Sequence, residues 1–170
     1  GSICSTRVQT GHGVPTLQSI MDCANSDRDT KIIADGGIKN SGDIVKAYAA
    51  GADFVMIGSM LAGTTETPGD IMYEQTRGQD PVRIKVYRGM ASEEAQKNWR
   101  GKSSSIEGVA TTIPYKGHVG KVLKQVDNGI RSGFSYSGSR NFTEFQAKCK
   151  LIRQTQSAQI ESSTHIMSTR

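Results

Sequence analysis

The chain has little to oxidise, little to stack and no stretch long enough to anchor in a membrane. Among 170 residues cysteine occurs three times, at Cys4, Cys23 and Cys149, with no CxxC pair and no neighbouring His. That spacing excludes a disulfide framework and argues against zinc. Aromatics make up 6%, with a single Trp, and do not interleave with Lys or Arg. The 21 basic residues exceed the 16 acidic ones by five, yet they are scattered with no run of three. Nucleic acid is therefore rejected as the main partner, while an anionic small molecule such as a phosphate suits the balance. The longest nearly unbroken apolar run, FVMIGSMLAG at 54–63, falls far short of the roughly 20 residues of a membrane-spanning helix. Three unpaired thiols and no charged-then-apolar opening segment lead to the expectation of a reducing cytoplasm.

What is present is a strand–helix–strand unit. KIIAD (31–35) is a short β-branched run ending in Asp-Gly-Gly, as a buried parallel strand would. SGDIVKAYAAG (41–51) reads as a helix with Ser41 as N-cap, Asp43 in its first turn, an apolar face of Ile44, Val45, Ala47 and Tyr48, and Gly51 as its stop. DFVMIGS (53–59) is a second buried strand, so the whole is a βαβ unit. IMYEQT and VRIKVYR flank RGQDP and predict a β-hairpin. The polar stretch 91–112 reads as a mobile flap. Val119, Val122, Leu123, Val126 and Ile130 follow helical spacing over 119–134, and Asn141 with Glu144 marks another helix start. The last ten residues read as a loose tail.

Two buried parallel strands do not make a stable sheet alone. The missing strands are expected before Gly1 or on another chain, so the chain reads as the C-terminal part of a larger protein, a fragment or one half of a split one.

Both strands end at glycines, Gly36-Gly37 and Gly58-Ser59. Backbone N–H groups at such turns form an anion cradle, although either turn alone reads equally as a tight connection. Two in succession, with Asp35 placed to accept ribose hydroxyls, point to a nucleoside monophosphate. A lone Cys is most often a small buried hydrophobe. Cys4, however, sits in the polar loop GSICSTR beside hydroxyls and Arg7, a setting that favours thiolate and makes the sulfur a nucleophile. Glu107 is the candidate acid or base, reached through the Thr6 hydroxyl.

GSICSTRVQTGHGVP, IIADGGIKNSGDIVKAYAAGADFVMIGSMLAG, KVYRGMAS and IPYKG closely resemble the C-terminal half of the IMP dehydrogenase and GMP reductase family, over residues 1 to about 165. The resemblance implies an α/β fold, the C-terminal part of a TIM (β/α)8 barrel. Residues 1–16 would be the catalytic loop and 17–63 the seventh and eighth βα units. A hairpin and flap would be inserted at 71–117, before terminal helices and a tail at 118–170. It implies that Cys4 attacks C2 of a purine and that hydride moves between C2 and a nicotinamide cofactor, NADPH or NAD. Ser2, Gly37, Gly58, Ser59 and Tyr87 would then meet the phosphate, Asp35 the ribose, and Met90 and Ala91 the base, with Gly36 and Gly89 also binding substrate. The Gly1 and Cys4 carbonyls would bind a monovalent cation, potassium, with Glu161, Ser162 and Ser163 of a neighbouring subunit in a homotetramer.

Dehydrogenases of this family hydrolyse the covalent intermediate with an Arg-Tyr pair in a long flap. Here the stretch from Met90 to Glu107 is short and holds no such pair, which resembles the reductase branch, whereas GSICSTRVQTGHGVP and SAQIESSTHI resemble a dehydrogenase. The expectation is a GMP reductase, with IMP dehydrogenase as the alternative and an inactive nucleotide-binding fragment as a third reading. His12, His118 and His165 read as structural or exposed. Cys23 and Cys149 read as core thiols, and Trp99 as either a lid over the site or a surface aromatic.

Overall fold

A computed structural model describes residues 2–75, 78 and 80–164. Gly1 and His165 fall outside these residues, as do most of the expected tail and part of the expected hairpin turn. Among the described residues no helix is long and apolar enough to cross a membrane.

Two short helices, α1 (Thr6–Thr10) and α2 (Thr16–Ala24), lead into strand β1 (Ile33–Asp35). Helix α3 (Ser41–Ala49) then connects β1 to β2 (Phe54–Met56), which lies parallel to β1 with Ile33, Ala34 and Asp35 opposite Phe54, Val55 and Met56. This is the expected βαβ unit, with one change at the helix start. The N-cap is Asn40 and not Ser41, because the Asn40 side chain accepts the Asp43 N–H at 2.9 Å. Gly51 ends the helix as expected, at φ 108°, where a side chain would be strained.

The strands are buried on one face only, which corrects the expectation of full burial. Ala34 packs into a core with Ile20, Ile38, Ile44, Ala47, Ala50 and Ala52. The alternate residues Ile33, Phe54 and Met56 point the other way and are 57, 57 and 54% exposed. Side chains alternate across a strand, and the helices lie on a single side of this pair.

Helix α5 (Val119–Tyr136) packs against α3, adding Val126 and Ile130 to the edge of the core. Its Gly129 and Gly133 are four residues apart, and they face Ser41 and Val45 of α3, also four apart. The missing side chains let the two helices approach closely. Helix α6 (Phe142–Lys148), capped by Asn141 as expected, docks by stacking Phe145 on Phe134 at 4.3 Å and presenting Phe142 edge-on to Tyr48 at 5.1 Å. Emptying the Phe145 position would cost about 3–5 kcal/mol. A last helix, α7 (Gln156–Glu161), follows.

The predicted hairpin is present as β3 (Met72–Glu74) antiparallel to β4 (Val82–Arg88), and a third strand, β5 (Ala110–Pro114), pairs with β4 on its other edge. Half of the segment read as a mobile flap is thus regular. Residues Glu93–Arg100 form helix α4, and the stretch closes by joining β5. Ser92 caps α4 by accepting the Ala95 N–H, and Gly101 ends it at φ 72°.

Candidate active site

Cys4 lies at the mouth of α1, in a short antiparallel bridge with Gly108. Ser5 N–H donates to the Glu107 carbonyl at 3.0 Å, and Val109 N–H donates to the Ile3 carbonyl at 3.0 Å. On the far side, Glu107 N–H donates to the Ala91 carbonyl at 3.2 Å and Gly89 N–H to that of Val109 at 3.1 Å. The loop of Cys4, the flap end and the β4 exit are therefore stitched together through backbone bonds, although they are remote in sequence.

This stitching brings together the three residues singled out for chemistry. The Cys4 thiol donates to Thr6 Oγ1 at 3.2 Å, and Thr6 Oγ1 donates to Glu107 Oε2 at 2.5 Å. The hydroxyl has one proton and two partners, so the chain can run either way. With Glu107 ionised it runs from sulfur to carboxylate; with Glu107 protonated it reverses and Thr6 donates to a thiolate. Hydrogen bonding at Thr6 holds the Cys4 thiol below its ordinary pKa, against some burial and the opposing Glu107 charge.

A cavity of about 700 Å³ opens beside Cys4 and Glu107, with Gly89, Met90 and Ala91 in its wall. A second, of about 240 Å³, is formed by the two glycine turns, Asp35, Gly36 and Gly37 after β1 and Gly58 and Ser59 after β2. Ser2 and Tyr87 line both. Every expected substrate-contacting residue thus borders one of two adjoining hollows, a small one rich in backbone turns and a larger one beside the sulfur. Gly36 and Gly37 sit at φ 103° and 78°, the left-handed backbone that lets consecutive N–H groups converge on an anion. Tyr87 Oη lies 3.4 Å from where a Cβ on Gly58 would stand, so tyrosine and turn are in contact.

The sequence reading missed Gln96. It is buried on α4, donating to the Ala91 carbonyl at 3.1 Å and accepting the Ser104 N–H at 2.9 Å, which ties helix, loop and cavity wall together. Ser105, two residues before Glu107, holds φ 48° and also lines the cavity. Trp99 is exposed at the cavity rim with the Arg100 guanidinium 4.5 Å above its ring. Cys23 is exposed and Cys149 half-buried, so neither is a core thiol. His118 caps α5 by accepting the Gly120 N–H and pairs with Glu66 at 2.9 Å, a structural use.

Of the expected cation ligands, Gly1 lies outside the described residues. Glu161, Ser162 and Ser163 close α7, where the two hydroxyls donate to the Ala158 and Ile160 carbonyls. Among the described residues no group of three or more His, Cys, Asp or Glu could hold a metal ion.

Comparison with known proteins identifies the family. A family model described as the IMP dehydrogenase / GMP reductase domain matches residues 1–165. An inosine-5'-monophosphate dehydrogenase of Nitrosopumilus maritimus is 43% identical over 97% of the chain and 37% of its own length. A GMP reductase of Leishmania major is 42% identical over 99% of the chain and 36% of its own length. Among solved structures, a Trypanosoma brucei GMP reductase variant in complex with guanosine 5'-monophosphate superposes with a TM-score of 0.87 at 40% identity. That superposition covers 97% of this chain and 34% of the other. The chain spans about a third of the length of the relatives it matches. It has an α/β fold and belongs to the IMP dehydrogenase / GMP reductase family.

Proposed function

We propose that this chain carries the nucleophile, the acid and the phosphate cradle of a purine nucleotide oxidoreductase, and that the reaction is reduction of GMP to IMP with release of ammonia. The observation that carries this reading is the continuous hydrogen-bond chain Cys4–Thr6–Glu107. A proton passing along it turns thiol and carboxylate into thiolate and carboxylic acid with no net charge created. The thiolate sulfur adds to C2 of the purine. As the C2–N bond breaks, Glu107 returns the proton to the departing amine. The nicotinamide, when bound, supplies hydride to C2. The sulfur then leaves C2 as thiolate, and one proton taken up from solvent restores the Cys4 thiol for the next cycle.

The cavity suits that pairing of rings. Its volume of about 700 Å³ lies within the roughly 300–1,000 Å³ of small-molecule sites, and Met90 and Trp99 offer exposed apolar surface beside Cys4. Ser2, Tyr87 and the two glycine turns would hold the phosphate and Asp35 the ribose. The barrel to which β1 and β2 would belong is completed by strands beyond these residues, against the exposed faces of Ile33, Phe54 and Met56. A monovalent cation would sit at the Gly1 and Cys4 carbonyls against the partner subunit's Glu161, Ser162 and Ser163. Oxygen donors at the C-terminus of α7, the negative end of a helix dipole, suit it.

The dehydrogenase reading has its own support, since relatives of both names match at similar identity. Against it stands Arg100, laid on Trp99 with no Tyr beside it. The full-length protein, assayed with GMP and NADPH and separately with IMP and NAD, separates the two. Turnover of GMP with NADPH is expected, and turnover of IMP alone would overturn the reductase reading. Cys4→Ala should abolish either activity while leaving nucleotide affinity within about threefold of wild type; retained turnover would remove Cys4 from the chemistry.

A further inference from the structure

Lys85, in the middle of β4, is 2% exposed. An ammonium taken out of water is costly unless every proton finds an acceptor. Here three backbone carbonyls receive it, those of Thr64 at 3.1 Å, Thr65 at 3.5 Å and Thr67 at 2.5 Å. All three belong to the segment that leaves β2. A second ammonium binds the same segment nearer its start. Lys116, just beyond β5, donates to the Ser59 carbonyl at 2.7 Å and to that of Met60 at 3.2 Å. The segment opens as a tight turn, with the Leu61 and Ala62 N–H groups both on the Gly58 carbonyl at 3.0 Å.

Carbonyl oxygens of this segment are thus held by cations on one side, while the Gly58-Ser59 end faces the small cavity. Lys85 and Tyr87 are two residues apart on one strand and so project from the same face. Tyr87 reaches Gly58, and Lys85 reaches Thr64 to Thr67. One strand therefore touches the turn at both ends. Among the described residues the Lys85 ammonium bonds backbone carbonyls and no carboxylate; Glu66 feels its charge from nearby and bonds Val119 N–H and His118.

We propose that Lys85, with Lys116, is a positioning residue for phosphate binding. The two ammonium groups lock the segment 59–67 so that the Gly58-Ser59 turn and Tyr87 stay in register across the small cavity. Their charge behind the turn also adds to the positive potential at its mouth. The inference rests on the nucleoside monophosphate reading given above.

The test compares binding of GMP and of guanosine by calorimetry, using the full-length protein and its Lys85→Met and Lys85→Arg variants. Wild type should prefer GMP. Lys85→Met, which keeps length and loses charge, should weaken GMP by about tenfold while guanosine affinity stays within about twofold. The KM for nucleotide should rise with little change in kcat, and Lys85→Arg should recover part of the loss. If Lys85→Met does not fold, Lys116→Met, at an exposed position, should show the same selective loss at smaller size. A GMP preference unchanged in the folded variants would overturn the inference. A wild type without preference for GMP over guanosine would instead overturn the phosphate reading beneath it.

Discussion

Gly129 sits inside α5, a position where helix propensity alone favours alanine. Replacing glycine by alanine in a helix interior gains about 1 kcal/mol. The contact with α3 sets the opposite sign. A Cβ on Gly129 would stand 2.1 Å from Ser41 Oγ and 2.5 Å from Ser41 Cβ. The hydroxyl can rotate away, but the Cβ cannot, so α3 and α5 must separate. Overpacking of this kind costs about 1–3 kcal/mol, and it acts at the end of α3 that follows the Gly36–Gly37 turn. Gly129→Ala should therefore give no net gain and destabilise by up to about 2 kcal/mol despite its better propensity. Ser41→Gly removes both crowding atoms and leaves only the Ser41 Cα, at 4.0 Å. The double variant should accordingly recover most of the loss, with a coupling of about 1.5 kcal/mol. Urea unfolding of the two single variants and the double reads this directly. With a slope of about 2 kcal/mol per molar, the Gly129→Ala midpoint falls by up to about 1 M. A single variant more stable than wild type, or effects additive within about 0.5 kcal/mol, would refute the packing argument.

Two further outcomes follow from the site and the strands. Thr6→Val removes the hydrogen bond that favours the Cys4 thiolate, so the midpoint of the pH profile for alkylation by iodoacetamide should rise and the rate at pH 7 should fall; an unchanged midpoint would show that Thr6 does not tune the sulfur. Asp53 accepts the Ile32 N–H at 2.9 Å and the Lys31 ammonium at 3.0 Å, and these bonds hold its carboxyl below the ordinary value. A carboxyl lower in the folded state contributes stability above its unfolded value of about 3.9 and loses it as pH falls through the folded one. The stability gap between wild type and Asp53→Asn should therefore narrow on acidification below about pH 4, and a gap constant from neutral pH to pH 3 would contradict this.

The candidate chemistry was legible in residue types, since the thiol of Cys4, the hydroxyl of Thr6 and the carboxylate of Glu107 can each carry a role. Their meeting across a hundred positions depends on backbone pairing at Gly108, which no periodicity encodes. Helix α4 was hidden because EEAQKNWR has almost no apolar face, its buried side being Ala95 and Gln96. Its ends were the readable part: Ser92 before, acids in the first turn, Lys97 and Arg100 in the last, and Gly101 after. For α3, adjacent Asn40 and Ser41 compete for the cap, and only the bond to Asp43 decides between them. Lys85 escaped because a charge in an alternating strand reads as a solvated face, while its acceptors are carbonyls that any sequence would supply.

Glycines that look alike in the sequence leave this chain very different room to vary. At Gly129 the crowding atoms belong to a side chain, so a larger residue there can be answered by a smaller one at Ser41. At Gly108 a Cβ would meet Ser92 N at 3.1 Å and the Ala91 carbonyl carbon at 3.3 Å, with the Gly89 Cα at 3.6 Å. Those are atoms that every amino acid possesses. Shrinking a side chain at a touching position makes no space there, so a Cβ beside Cys4 is accommodated only if the backbone itself gives by a few tenths of an ångström. Paired side-chain exchanges can rework the helix contact, whereas at the seam joining Cys4 to the flap the room for a larger residue has to come from backbone movement.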